Sequence, residues 1–422
     1  LQFETSFPGQ DDIERTGCIP ACPPQAVGRG GDGVAAISLH RGVVVSVDES
    51  EDDLVVLTVD LGDDSSRGGR LPATVKACAY PGIAATLRPG DSVIVNTVGL
   101  ELGLGTGGFG FVLANLSAAL PQHAGNGHIV KLRYTPLQLT VLSAEEESSP
   151  HHALLQEPSL TLDGAPVVSA ELHSALPAIA AGVKAYDQSL AVCYVMTDGG
   201  ALPMAFSRTV RRLKREGLVQ TTVTAGHAFG GDYEAVNVFS GLLVAKHAAR
   251  ADVIIVSKGP GIVGTGTPLG HTGMEQGEAL NAAYRLGGTT VLTPRFSDTD
   301  DRQRHRGLSH HFESVLRFCV YCPTYIPVPA EIPSVGLAVS SRLTALGAHS
   351  QHRIVESPGE PGLRLLEDSG VSASTMGRSL DTDRAYFAAA CASGWFAARA
   401  LREGVERLPE PGTCWLPKGA GR

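Results

Sequence analysis

From Asp298 to His311 the chain reads Asp-Thr-Asp-Asp-Arg-Gln-Arg-His-Arg-Gly-Leu-Ser-His-His, setting His305, His310 and His311 among carboxylates and guanidinium groups. Neutral imidazoles near carboxylates are what a divalent metal or a general base requires. Ser309 has the residue type of a helix N-cap. His310 and His311 then fall in the first helical turn, where the positive end of the dipole disfavours imidazolium. Metal ligation by His305, His310 and His311 is therefore one candidate, with His310 also a candidate proton carrier. The spacing matches no standard zinc signature, and a charged loop entering a capped helix is the structural alternative.

A second concentration of chemistry lies between Gly259 and Gly273, where six glycines and three threonines precede a helix-like run from Met274. Backbone amides and hydroxyls ahead of a helix favour phosphate or carboxylate. Gly259, Gly261, Gly264, Thr265, Gly266, Thr267 and Thr272 are the expected anion contacts, His271 a proton carrier, and Arg295 and Arg378 added charge. Gly259, Gly261 and Gly264 also spell GxGxxG, but Pro260 and the residues before the helix spoil the tight turn of a dinucleotide site. An NADP-type oxidoreductase is thus a secondary reading. A second GxGxxG, Gly103 to Gly108, has no following acidic residue before Glu145 and reads as turns. Asp198, His227 and Asp232 follow predicted strands and are further catalytic candidates. Asp232 alternatively caps a helix over Glu234–Arg250. Cys319 and Cys322 form a CxxC placed after a helix, away from the helix start that would activate a thiolate.

These groups need a frame. Short strand-like runs at Gly42–Val47, Leu54–Leu61, Ala73–Ala79, Ser92–Val98 and His128–Leu142 predict a small β-barrel or sandwich over 33–144. A Pro-containing stretch over 1–32, with Cys18 and Cys22, reads as a flexible tail, and polar residues over 145–159 read as a linker. Over 160–422 strand-like runs at Leu190–Met196, Gln220–Thr224, Val253–Val256, Thr290–Thr293, Tyr325–Val328, His352–Val355 and Val371–Ser374 alternate with helix-like ones. That alternation predicts a doubly wound, mostly parallel, Rossmann-like α/β sheet. Ligands of such sheets bind beyond the carboxyl ends of the strands, where the candidates above all fall.

The chain of 422 residues carries a formal charge of −9, which argues against nucleic acid and anionic membrane surfaces as partners. No apolar run is long enough to span a bilayer. Eight cysteines without regular spacing suggest reduced thiols and a cytoplasmic protein. The phrases Gly127–Gln138, Gly226–Asn237, Gly264–Gly273, Arg304–His311 and Ser374–Arg378 resemble an uncharacterised bacterial family, domain of unknown function 3866. The resemblance implies membership and a bacterial origin, and no activity. The residues themselves point to an enzyme, a hydrolase or transferase acting on a small anionic, phosphorylated or carboxylated, metabolite. A non-catalytic metabolite sensor is the alternative, and homo-oligomerisation is left open.

Overall fold

The first strand-rich stretch closes on itself. β1 (Leu39–Ser50) pairs antiparallel with both β2 (Val55–Asp60) and β4 (Ser92–Asn96), and β3 (Thr74–Ala79) runs parallel to β5 (Gly110–Asn115). The order β1-β2-β3-β5-β4 makes a closed barrel. Val44, Leu57, Val59, Val75, Ala77, Val93, Val95 and Val112 fill it, and register shifts in β1 and between Ile94 and Val95 supply the bends closure needs. The structure, a computed structural model, describes residues 37–62, 71–103, 107–119, 121–122, 125–348 and 351–405. The expected tail, with Cys18 and Cys22, lies outside them.

The fifth barrel strand differs from the sequence expectation. It is Gly110–Asn115, whereas His128–Leu142 forms a separate hairpin of β6 (Ile129–Lys131) and β7 (Leu139–Val141). Lys131 explains the departure: its buried ammonium donates to Glu234 Oε2 at 2.6 Å, fastening the hairpin to the sheet instead of the barrel. The stretch over 145–159 is also tied down. Glu146 is buried and accepts the amides of His128, Ile129 and Ser143, while Glu145 accepts that of Val236.

Beyond it stands an eight-stranded parallel sheet. Its strands are β8 (Pro166–Ser169), β9 (Val192–Thr197), β10 (Thr221–Ala225), β11 (Tyr233–Ala235), β12 (Val253–Lys258), β13 (Thr289–Leu292), β16 (Thr324–Pro329) and β17 (His352–Ser357). A small pair, β14 (Phe296–Ser297) and β15 (Gly307–Leu308), intervenes in the chain. The spatial order is β11-β10-β9-β12-β8-β13-β16-β17, all parallel. Both faces are apolar because both are covered: along β9, Val192, Tyr194 and Met196 enter one core while Cys193 and Val195 enter the other. The chain winds outward from β9 to β11, returns through β12 beside β8, then proceeds to the opposite edge. The switch in winding falls at β12, β8 and β13.

Three corrections concern this half. Val371–Ser374 does not join the sheet; Ser374–Thr375 pairs only with Arg378–Ser379. The helix expected over Glu234–Arg250 begins at Val238 behind a capping box made by Asn237 and Ser240, because Tyr233–Ala235 is the edge strand β11. Asp232 consequently caps no helix. Two helices escaped the sequence pattern: Leu176–Tyr186, which is apolar along most of its length, and the short Glu360–Asp368, which opens on Glu-Pro-Gly. The first is buried along nearly its whole length and lies against Arg384–Glu403.

That helix pair is close because its contact residues are small. A Cβ at Gly394 would overlap the Ile179 carbonyl, and one at Gly182 would overlap the Cys391 carbonyl. Helix propensity favours Ala over Gly by about 1 kcal/mol, while overpacking a rigid core costs about 1–3 kcal/mol. Here the overlap is with backbone, so steric cost prevails. Gly394→Ala should lower stability by about 2 kcal/mol in chemical denaturation, a loss that helix propensity alone would reverse in sign.

Candidate functional site

The three strands at the winding switch each deliver a charged residue to the same end of the sheet. Glu171 lies just past β8, Lys258 ends β12, and Arg295 lies just past β13. All three are buried. Glu171 Oε1 accepts from Arg295 Nη1 at 2.5 Å and from His311 Nδ1 at 2.6 Å, and Lys258 Nζ donates to the Glu171 carbonyl at 2.7 Å. Burial alone would raise the Glu171 carboxyl, but Arg295, His311 and Lys258 pull it down to about 2. Burial lowers Lys258 to about 8, opposed by Glu171 and Glu275.

His311 arrives from the helix His310–Phe318, whose N-cap is Ser309 as its sequence predicts; Ser309 Oγ accepts the His311 amide. The same hydroxyl holds His305 Nδ1 at 2.8 Å, so one serine orients two elements. His271 comes from the Gly-rich loop and stacks on His311, with ring centroids 3.8 Å apart and planes within 8°. His310 completes the group, 4.3 Å from His311 and 4.9 Å from His305 between centroids. Four imidazoles thus form one cluster, backed by one carboxylate.

Burial holds most of these rings neutral. It lowers His271 to about 4, with the charge of His311 adding to it, and lowers His305 to about 3 with Arg295 and Arg302 adding. His310 falls to about 4 through burial, His311 and the exposed Arg304. Four polar atoms in the cluster are buried without a hydrogen-bond partner: Glu171 Oε2, both ring nitrogens of His271 and Nε2 of His310. Native proteins leave few such atoms unpaired, and those that remain call for a ligand, water or ion.

The Gly259–Gly273 loop has a different form from an open cradle. Thr265 N donates to Gly270 O, Thr272 N to Val263 O, Gly270 N to Thr267 Oγ1, and Val263 N to Thr272 Oγ1. It is a self-bonded arm with a positive φ at Gly261 and Gly266, packed through Gly259 against Ala201 and through Gly264 against His271 and His311. Its geometric product is the placement of His271. Arg295 and Arg378 are both paired with carboxylates, Arg378 with Asp300 and Asp383.

Asp198, His227 and Asp232 are not brought to the cluster. Asp198 accepts the His227 amide, His227 Nδ1 accepts the Leu132 amide, and Asp232 pairs with Lys214 and both polar groups of Thr222. Burial pushes the Cys319 and Cys322 thiols up to about 11 and about 12, which keeps them protonated. Sequence reasoning missed Glu171 and Lys258 as site residues. The available signal for Glu171 was a short Pro-Val-Val-Ser strand, between Asp163-Gly164 and an apolar run, ending in a lone carboxylate.

The chain belongs to the family described as "Protein of unknown function (DUF3866)", whose model matches residues 76–394. No curated protein and no solved structure matches the chain. Among the described residues no helix is long and apolar enough to cross a membrane.

Two buried histidines outside the cluster give a pH expectation. Burial lowers His352 to about 4 and, aided by Lys258, His173 to about 3, from an ordinary 6.5. Below pH 6.5 the unfolded chain takes up these protons while the folded one refuses them, so stability falls as pH drops toward 4. Denaturation midpoints measured from pH 7 to 4 should decline, and His352→Leu should shallow the slope.

Proposed function

We propose that this protein is an enzyme, a hydrolase or group transferase, acting on a small anionic metabolite at the carboxyl ends of β8, β12 and β13. The observation that carries the reading is the cluster of His271, His305, His310 and His311 around the Glu171–His311 hydrogen bond. Neutral imidazoles suit both halves of group transfer. One takes the proton from an attacking water or hydroxyl, and another gives a proton to the leaving group. Glu171 orients His311 and favours any positive charge that develops on it, as a carboxylate behind a histidine does in acid–base sites.

An anionic substrate is supported by Arg304, exposed and close enough for its charge to bear on His310. Arg295 and Arg378 are paired with carboxylates, and Arg304 adds a cation open to a ligand. The loop arm contributes His271 and the rim beside it.

Incubation with a deproteinised metabolite extract, followed by mass spectrometry, tests the reading. The wild type should consume an anionic species, and His310→Gln should slow that consumption about 100-fold. An anion that stabilises the fold in thermal shift yet is recovered unchanged contradicts catalysis and makes the protein a binder.

A further inference from the structure

We infer that His305, His310 and His311 form a binding site for one divalent transition-metal ion of the zinc, cobalt or nickel kind. One nitrogen from each ring lies within 4.8 Å of the others. Two rings are already fixed by their Nδ1 atoms, His311 on Glu171 and His305 on Ser309. A proton on each Nδ1 leaves the Nε2 lone pair of both rings for a metal, and His310 Nε2 is buried with no hydrogen-bond partner. A carboxylate behind a ligating histidine is the usual outer support of such centres.

The donor chemistry selects the ion. Three imidazoles suit zinc, cobalt, nickel or copper, whereas magnesium and calcium want oxygen. Nitrogens at about 2.05 Å in a tetrahedral shell lie about 3.4 Å apart, so small ring rotations close the site. Three protein ligands leave a fourth position open, the pattern of catalytic rather than structural centres. His271, stacked on His311 with both nitrogens buried and unpartnered, lies beside that position to exchange a proton with whatever fills it. With His305, His310 and His311 as ligands, the proton transfers assigned to the cluster pass to His271 and to the group in the open fourth position. The inference deepens the enzymatic reading and rests on it for the metal's use, not for the metal's binding.

The test uses the untagged full chain, stripped with chelator and titrated with cobalt(II). The wild type should bind one equivalent, with visible absorption stronger than that of the aqueous ion and displaced by zinc. His305→Gln/His310→Gln should weaken binding about 100-fold or more, and Glu171→Gln about 10- to 100-fold. His247→Gln, outside the cluster, should bind as the wild type does. Circular dichroism establishes that each variant is folded, and single His310→Gln, at a partly exposed ring, serves if the double variant is not. A wild type that binds no stoichiometric cobalt, or a folded variant lacking His310 that binds it equally, overturns the site. Metal binding without turnover of any anion removes the enzymatic reading alone, whereas turnover by the metal-free protein removes the metal's part in the chemistry and leaves its binding site standing.

Discussion

A carboxylate cut off from water at the end of a central strand must find its compensation inside the protein, and at Glu171 that compensation dictates the surroundings. Arg295 and His311 converge on one of its oxygens, and Lys258 holds its carbonyl. Removing one partner of a buried ion pair costs about 3–5 kcal/mol, because the other charge is stranded. Glu171, Lys258 and Arg295 come from the ends of β8, β12 and β13 and His311 from the first turn of the helix His310–Phe318, so the sheet's winding is what brings them together. Gly273 shows how tightly the loop is fitted to this point: a Cβ there would sit 2.7 Å from the Glu171 side chain. Position and charge are set by the same contact.

A second layer of ion pairs extends the frame. Asp300 and Asp383 hold Arg378, and Asp300 also holds Arg302, so one carboxylate of the 298–302 stretch is engaged in shaping the loop that carries His305. Farther out, Glu49, Glu51 and Asp53 of the barrel face Arg208, Arg211 and Arg215 of the sheet domain, beside an apolar contact of Phe111 with Phe206. Exposed pairs of this kind contribute little individually. Their value lies in fixing which barrel edge meets the sheet.

The parts legible in the sequence were those with a period or a cap. Long apolar runs such as Val253–Val256 marked strands, and Ser309 marked a helix start. The histidine cluster was half legible: His305, His310 and His311 are neighbours in sequence, and His271 stood out in its Gly-rich loop. Elements without a pattern were not legible. β8 has four residues and begins with Pro, and the helix Leu176–Tyr186 is apolar all round, so neither shows amphipathic alternation. With β8 unseen, Glu171 had no strand end to occupy. The bonds that the loop's threonines make with their own neighbours were not legible either, because sequence shows hydroxyls but not their partners.

Glu171 sets the proton position on His311 and thereby leaves its Nε2 lone pair free for a ligand. Long-range nitrogen–proton NMR correlation on metal-free protein with labelled histidine measures this directly. At a pH where the ring is neutral, the wild type should show the Nδ1–H tautomer for His311, and that tautomer should be lost when Glu171 and Arg295 are replaced together by Leu and Met, which leave Nδ1 no acceptor at this point. An Nε2–H tautomer in the wild type would contradict it.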